Sequence, residues 1–329
     1  MKKALFLLLC ALLMAGLIIP SAAEAGEVRV ALCIANRLGD QGFFDSAYDG
    51  LERLKADYGV IGSVVECKSD ASMFQVALVE AAETHDIVVA VGWEFWDALC
   101  DIVPQMPDTL FIFIDNGLDG VGDNLMSITY AENQGSFLAG FIAMTQSKTG
   151  KVGVVGGEDS ETINNFIVGY RQGALYANPA GVVLDPIYTN DYESPDKGKE
   201  AAMALYGMGA DVVFQVAGET GLGVFEAAKE TGNFAIGVDS DQKYINPECI
   251  LCSMIKDVGA SIYGAVGSYI TDGVFSGGEI WDADMTTGYV DIAYGDSGMV
   301  QQVPDEVKVQ VEELKQLIIA GEIQVESTR

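Results

Sequence analysis

The sequence predicts an α/β protein with two domains, each built on a doubly wound parallel sheet. Its short apolar runs do not alternate apolar with polar residues, which is typical of strands covered on both faces. Residues at helical spacing lie between these runs, as βαβ units require. The strand–helix series also occurs twice, and 329 residues are enough for two domains of roughly 100–200 residues each.

The elements follow one another in the order that this fold demands. In the first series, which runs from Val28 to about Gln146, strands are predicted at residues 28–34, 87–91 and 110–114. Helices are indicated there by Phe44, Leu51 and Leu54, and by Phe137, Phe141 and Met144. The second series starts after the polar residues 147–150, with strands predicted at residues 152–155, 212–216, 235–238 and 250–255.

The composition excludes several classes of function. The chain has 48 acidic and 18 basic side chains, one histidine and a formal charge of −30, while half of its residues are hydrophobic. So few cations cannot neutralise a phosphate backbone, so no nucleic-acid partner is expected. A single imidazole excludes most zinc sites, and neither a metal nor another cofactor is predicted.

The amino terminus has the organisation of an export signal. Lys2 and Lys3 precede an apolar stretch over residues 4–19, and Ala23 and Ala25 provide a small-x-small cleavage site. Cys10 lies near the beginning of the apolar stretch and not at its end, so lipidation is not predicted. Residues 1–25 are therefore interpreted as a cleaved signal peptide of a periplasmic or otherwise extracytoplasmic protein.

Candidate site residues lie where predicted strands end, because ligands of doubly wound sheets bind beyond the carboxyl ends of the strands. This rule selects residues 40–45, 92–95, 115–116, 156–159, 218–223 and 239–242. In the first loop, Asp45 either caps a helix or, with Asp40, Phe43 and Phe44, faces a cleft. Trp93 lies in an aromatic-rich loop that could stack on a flat ligand or pack on the next helix.

The later loops favour binding over catalysis. The glycines from Gly218 to Gly223 follow the order G-x-x-G-x-G, which is not a dinucleotide fingerprint but leaves backbone N–H groups available to a polar ligand. Asp239 could accept two adjacent hydroxyl groups, with Lys256 as a charged donor beside it, or the two could form a simple ion pair. Since no nucleophile is accompanied by a base, a receptor is predicted and not an enzyme.

Four segments of the chain match known sequence motifs. Residues 40–50 resemble D-K-S-F-N-D-S-A-Y-E-G, and residues 214–225 resemble F-Q-V-A-G-G-T-G-x-G-V-F. Residues 236–242 are similar to I-G-V-D-S-D-Q, and residues 253–256 to S-M-x-K. Together these segments resemble the basic membrane protein (BMP) family, the PnrA or TmpC type, of receptors for bacterial ABC importers. Two positions depart from these motifs, since Phe44 replaces an asparagine and Glu219 a glycine.

The resemblance implies a type I periplasmic binding fold, in which two lobes joined by three crossings close on a ligand like a hinge. Lobe 1 is expected to contain residues 26–146 and about 257–285, and lobe 2 residues 147–256 and about 286–329. The protein is expected to be a monomer that delivers its ligand to an ABC permease in the inner membrane.

The resemblance also implies a purine nucleoside such as adenosine, guanosine or inosine as ligand. By position, Phe43 stacks on the base, Asp45 and Asp115 contact its edge, and Asp239 and Lys256 hold the ribose. The other expected ligand contacts are Asp40, Phe44, Trp93, Phe214, Gly218 and Glu219. Two alternatives stay open: a receptor for another flat polar solute such as a free purine base, and an exported nucleoside hydrolase that uses an acidic calcium site.

Overall fold

The computed structural model of the protein describes residues 27–329, so the predicted signal peptide at residues 1–25 falls outside the described residues. The chain forms two separate sheets, each between layers of helices. In the first strand, Val30 and Leu32 belong to one apolar core and Ala31 and Cys33 to another. Both faces of the strand are therefore buried, which is why its sequence shows no polar alternation.

The first sheet has six strands, and all neighbouring strands are parallel. In spatial order they are β12 (Ile280–Ala283), β5 (Leu125–Tyr130), β4 (Leu110–Ile114), β3 (Ile87–Val91), β1 (Arg29–Ile34) and β2 (Ile61–Glu66).

The second sheet repeats this order with seven strands, and only β13 runs antiparallel to its neighbour in the described structure. In spatial order they are β13 (Val290–Ala293), β11 (Ile250–Lys256), β10 (Phe234–Asp239), β9 (Val212–Val216), β6 (Lys151–Gly156) and β7 (Val182–Val183), with β8 (Ile187–Tyr188) also paired to β6. Each strand of the first sheet thus has a positional counterpart in the second, where β8 is additional, and this correspondence confirms the predicted repetition of the fold.

Helices follow most of the strands along the chain. They are α1 (Phe43–Tyr58), α2 (Ala71–Ala82), α3 (Trp96–Ile102), α4 (Glu132–Gln146), α5 (Glu161–Ala177), α6 (Pro195–Gly207), α7 (Leu222–Thr231), α8 (Val258–Asp272) and α9 (Asp305–Ile319). Within residues 27–329, none of them combines the length and the apolarity that a membrane crossing requires.

The chain passes between the two lobes three times: between β5 and α4, between β11 and α8, and between β12 and β13. The first of these crossings differs from the predicted boundary at residue 146. Helix α4 packs on the second lobe, where Gly135 lies against Met254 of β11 and Val290 of β13. The lobes therefore divide near residue 131, because the apolar residues of α4 pack against the second sheet and α5.

Glycines let α4 and α5 approach each other closely. A methyl group at Gly173 would overlap the carbonyl group of Phe137, and one at Gly140 would overlap the carbonyl group of Tyr170. Both obstacles are backbone atoms, which cannot rotate away as the end of a side chain can. The contact between the two helices consequently depends on small residues at these positions.

We expect Gly173→Ala to lower the free energy of unfolding by about 1–3 kcal/mol, because the added methyl group forces the two backbones apart. Gly207→Ala is the matched control, since Gly207 ends α6 with nothing within 4 Å of the added methyl group. Urea denaturation should find the control variant at least as stable as the wild type. Equal stability of the Gly173→Ala variant and the control would contradict this packing.

Candidate functional site

A cavity of about 520 Å³ lies between the lobes, at the carboxyl ends of strands from both sheets. Its wall carries nine acidic side chains and two basic ones among the described residues. The acidic residues are Asp40, Glu94, Asp115, Glu158, Glu161, Asp191, Glu193, Glu219 and Asp239, and the basic ones are Arg37 and Lys256. The cavity has the size of a small-molecule site and is strongly acidic.

Lys256 is the central charged group of this cavity. Its Nζ atom lies 2.9 Å from Asp115 Oδ1 and 3.5 Å from Asp239 Oδ1. The ammonium group also lies 4.6 Å from the centre of the Phe43 ring and 5.3 Å from that of Phe166. Asp115 comes from the first lobe, whereas Asp239 and Lys256 end strands of the second, so the ion pair of Lys256 with Asp115 connects the two lobes.

Burial and charge act in opposite directions on these groups. Burial alone would lower the pKa of Lys256, but the neighbouring charges of Asp115, Asp239 and Glu132 more than offset this and raise it above its ordinary value. Burial raises the pKa of Asp239 to about 6, although the charge of Lys256 opposes the shift. The lysine therefore stays charged inside the closed cavity.

Asp115 and Asp239 occupy equivalent places in the two sheets, immediately after β4 and at the end of β10. Both have left-handed backbone conformations, with φ of 78° and 66°. Such conformations are uncommon for residues other than glycine and cost about 1–3 kcal/mol each, so they concentrate at functional sites. Both carboxylates lie within 3.5 Å of Lys256 Nζ.

The start of α1 brings aromatic rings to the cavity. Phe43 and Phe44 both line it, with ring centroids 5.0 Å apart and planes inclined by 68°. Asp40 holds this turn in place, because its carboxylate accepts hydrogen bonds from the backbone N–H groups of Gly42, Phe44 and Asp45. Burial raises the pKa of Asp40 to about 6.

Nine of the eleven predicted site residues line this one cavity: Asp40, Phe43, Phe44, Trp93, Asp115, Gly218, Glu219, Asp239 and Lys256. The structure does not bring the other two to its wall. Asp45 instead accepts hydrogen bonds from the backbone N–H groups of Gly39 and Gln41, so it orders the loop. Phe214 is fully buried, where its ring stacks on Tyr170 at 5.3 Å.

Polar contacts join the two lobes at the mouth of the cavity. Arg37 of the first lobe donates hydrogen bonds to both carboxylate oxygens of Glu219 of the second, at 3.0 and 2.7 Å. Ser69, also of the first lobe, donates a hydrogen bond to the carboxylate of Glu193 in the second lobe at 2.5 Å. The structure therefore shows the lobes in a closed arrangement, and Glu219 is committed to this contact.

Sequence reasoning missed Asn36, Phe166 and Tyr192 of the cavity wall. Glu94 and Glu158 lie in segments that the strand-end rule selected, although neither was named among the expected ligand contacts, and Asn36 also follows a strand. Tyr192 follows the two-residue strand β8, which is too short to be recognised from apolar periodicity. Phe166 lies within α5 and shows only an ordinary helical pattern.

A family model for ABC transporter substrate-binding proteins of the PnrA-like type, named Bmp, matches residues 27–329. The chain belongs to the Bmp family. Among its relatives, basic membrane protein A1 of Borrelia garinii is 29% identical over 91% of this chain and 88% of that protein. Basic membrane protein C of Borreliella burgdorferi strain B31 is 31% identical, again over 91% of this chain and 88% of the relative.

A solved structure also resembles this Bmp-family protein. The solute-binding protein of an ABC transporter system from Aeropyrum pernix K1 has 26% identity and a TM-score of 0.79, with 90% of this chain and 92% of that chain covered. The predicted family and the type I periplasmic binding fold are confirmed by these matches. The family is one of substrate-binding proteins.

The hydrolase alternative would need a cation-binding cluster in the cavity. Among residues 27–329, no group of three or more histidine, cysteine or acidic side chains is arranged to hold a metal ion. The carboxylates of Asp115 and Asp239 instead share Lys256 as their counter-ion.

We expect the ligand-free Bmp-family protein to become less stable as the pH rises from about 5 to about 8. Burial raises the pKa of Asp40 and Asp239 to about 6 and that of Glu94 and Glu132 to about 7. Because these values exceed those of the unfolded chain, the stabilisation is complete below about pH 4 and is lost as the groups ionise.

Thermal unfolding across this pH range is the measurement, and the midpoint temperature should fall by several degrees toward alkaline pH. Glu94→Gln should make the decrease shallower, whereas Glu313→Gln, on the exposed face of α9, should leave it unchanged. A midpoint that rises between pH 5 and pH 8 would contradict the assigned burial of these carboxyl groups.

Proposed function

We propose that this protein binds a purine nucleoside in the cavity between its lobes and delivers it to an ABC permease, acting outside the cytoplasmic membrane. The observation that carries the proposal is the combination at one point of Lys256, two carboxylates and the ring of Phe43. This cluster of side chains can form hydrogen bonds with a sugar and can present an aromatic face to a flat base.

The polar side of this group suits a ribose. Asp239 Oδ1 is buried and makes no hydrogen bond in the described structure, although Lys256 lies near it. A carboxylate can accept from two adjacent hydroxyl groups, and Lys256 can donate to a ring or hydroxyl oxygen. A bound ribose would therefore satisfy an acceptor that is otherwise costly to bury.

The aromatic side suits a planar base. Phe43, Phe44, Trp93, Phe166 and Tyr192 all line the cavity, and Trp93 is half exposed at its edge. Stacking of a base on such rings contributes about 1–3 kcal/mol per base. With several buried hydrogen bonds in addition, micromolar or tighter binding is within reach.

The three crossings between the lobes support a hinge mechanism of capture. The contacts at the cavity mouth, Arg37 with Glu219 and Ser69 with Glu193, form only when the lobes are closed. A ligand held between Phe43 of one lobe and Asp239 of the other would favour this state, since it interacts with both lobes only there. The permease would then distinguish loaded from empty receptor by its shape.

We expect Asp239→Asn to weaken nucleoside binding by about 10- to 100-fold, because it removes a charged acceptor of the ribose hydroxyl groups. Isothermal titration of protein stripped of ligand, with adenosine, guanosine, inosine and uridine, measures the effect. Asp305→Asn is the control, as Asp305 is fully exposed at the start of α9. The proposal fails if the wild type binds none of the four nucleosides, or if it binds free adenine as tightly as adenosine.

We expect the 5′-monophosphate of any nucleoside that binds to do so at least about 100-fold more weakly than the nucleoside. Within residues 27–329, nine acidic side chains surround the cavity, and its two cations are already paired with carboxylates. A phosphate group would therefore enter a negative field with no free counter-charge. Comparable affinities for the two compounds in a competition titration would contradict this electrostatic argument.

A further inference from the structure

Glu94 and Asn36 lie together on the wall that the first lobe contributes to the cavity. They follow the neighbouring parallel strands β3 and β1, which stay paired to their ends, where Ala35 N–H donates to the carbonyl of Val91 at 3.1 Å. A Cβ atom at Gly92 would lie 2.5 Å from Glu94 Oε2 and 2.8 Å from Ala35 Cβ. The carboxylate therefore folds back over Gly92, beside the residue that precedes Asn36.

Both side chains carry a buried acceptor atom that makes no hydrogen bond. These atoms are Glu94 Oε2 and Asn36 Oδ1, and both residues line the cavity. The two cations of the described cavity wall do not serve them, because Arg37 is paired with Glu219 and Lys256 with Asp115 and Asp239. Since buried acceptors are normally satisfied, the missing donors are expected to come from the ligand.

Purine bases differ in the donors that they present to such a wall. Guanine offers two adjacent donors, N1–H and the 2-amino group, whereas hypoxanthine offers N1–H alone. Adenine places an acceptor, N1, beside its 6-amino donor. An ionised carboxylate only accepts hydrogen bonds, so it matches the donor pair of guanine and is repelled by N1 of adenine.

We propose that Glu94 determines base specificity by accepting hydrogen bonds from a pair of adjacent donors, so that the preferred ligand is a guanosine-type nucleoside. This inference rests on the proposed function and names the ligand of the same cavity. Asn36 Oδ1 offers a further acceptor on the same wall.

The protonation state of Glu94 gives a second readout. Burial, with the charges of Glu158 and Asp115, raises its pKa to about 7, and Tyr192 and Cys67 are the other titratable groups near it. A donor pair favours the ionised form, so guanosine affinity should increase from about pH 6 to about pH 8. Adenosine prefers the protonated carboxyl group, which can donate to N1, so its affinity should decrease over the same range.

The experiment is isothermal titration of the full, ligand-stripped chain with guanosine, inosine and adenosine. In the wild type at about pH 8, guanosine should bind at least about tenfold more tightly than inosine and adenosine. Glu94→Gln should weaken guanosine binding by about tenfold or more and should strengthen adenosine binding at this pH, because the amide can donate to N1 of adenine and accept from its 6-amino group. The Glu313→Gln control should change neither affinity.

The possible failures are distinguishable. If nucleosides bind the wild type without preference, and Glu94→Gln weakens all of them equally or not at all, this inference is overturned while the proposed function stands. If no nucleoside binds, this inference and the proposed function are both contradicted. Should Glu94→Gln fail to fold, the ratio of guanosine to adenosine affinity in the wild type decides: a ratio that does not rise between pH 6 and pH 8 contradicts the role of Glu94.

Discussion

The buried ion pairs of Lys256 with Asp115 and Asp239 constrain the rest of this structure. A charged ammonium group in a closed cavity needs carboxylates close by, because its loss of hydration is otherwise prohibitive. One of these carboxylates belongs to each lobe, and Lys256 itself ends the strand that precedes the second crossing. The same three residues thus hold the lobes together, fill the floor of the cavity and present polar groups to a ligand.

The repeated sheet explains how the two carboxylates meet. Strands β4 and β10 have the same place in their respective sheets, and both are followed by a left-handed aspartate. When the lobes face each other across the cleft, equivalent strand ends point toward one another, so one lysine can serve both. Because the two lobes repeat the same sheet, Asp115 and Asp239 lie on either side of Lys256 as equivalent acceptors, each directly at the end of its strand.

Much of the fold could be predicted from the sequence, because buried parallel strands appear as continuous apolar runs. Strands β3, β4 and β9 begin and end where the apolar runs do. Strand β2 escaped recognition since it lies at a sheet edge and is only partly buried, so its residues need not be apolar. The placement of α4 on the second lobe depends on backbone contact with α5, which no local pattern reveals.

Prediction of the site from the sequence is limited in the same way, because contacts between distant segments are not visible in a local pattern. Strand ends indicated where polar residues gather, but residue type alone could not tell Asp45, which orders its own loop, from Asp239, which faces the cavity. Nor could it show that Glu219 is bound to Arg37 across the cleft or that Glu94 has an acceptor without a partner. These distinctions arise from distances between segments far apart in sequence, and they decide which carboxylates are available to a ligand.

The most direct test of the central claim is to identify the solute that the protein selects from a mixture. Stripped protein would be incubated with a small-molecule extract of bacterial cells, washed, denatured and analysed by mass spectrometry for what it releases. A purine nucleoside should be enriched, and a Lys256→Met variant with native circular dichroism should not enrich it. Enrichment of a solute of another class, such as an amino acid or a simple sugar, or of nothing at all, would contradict the proposed function.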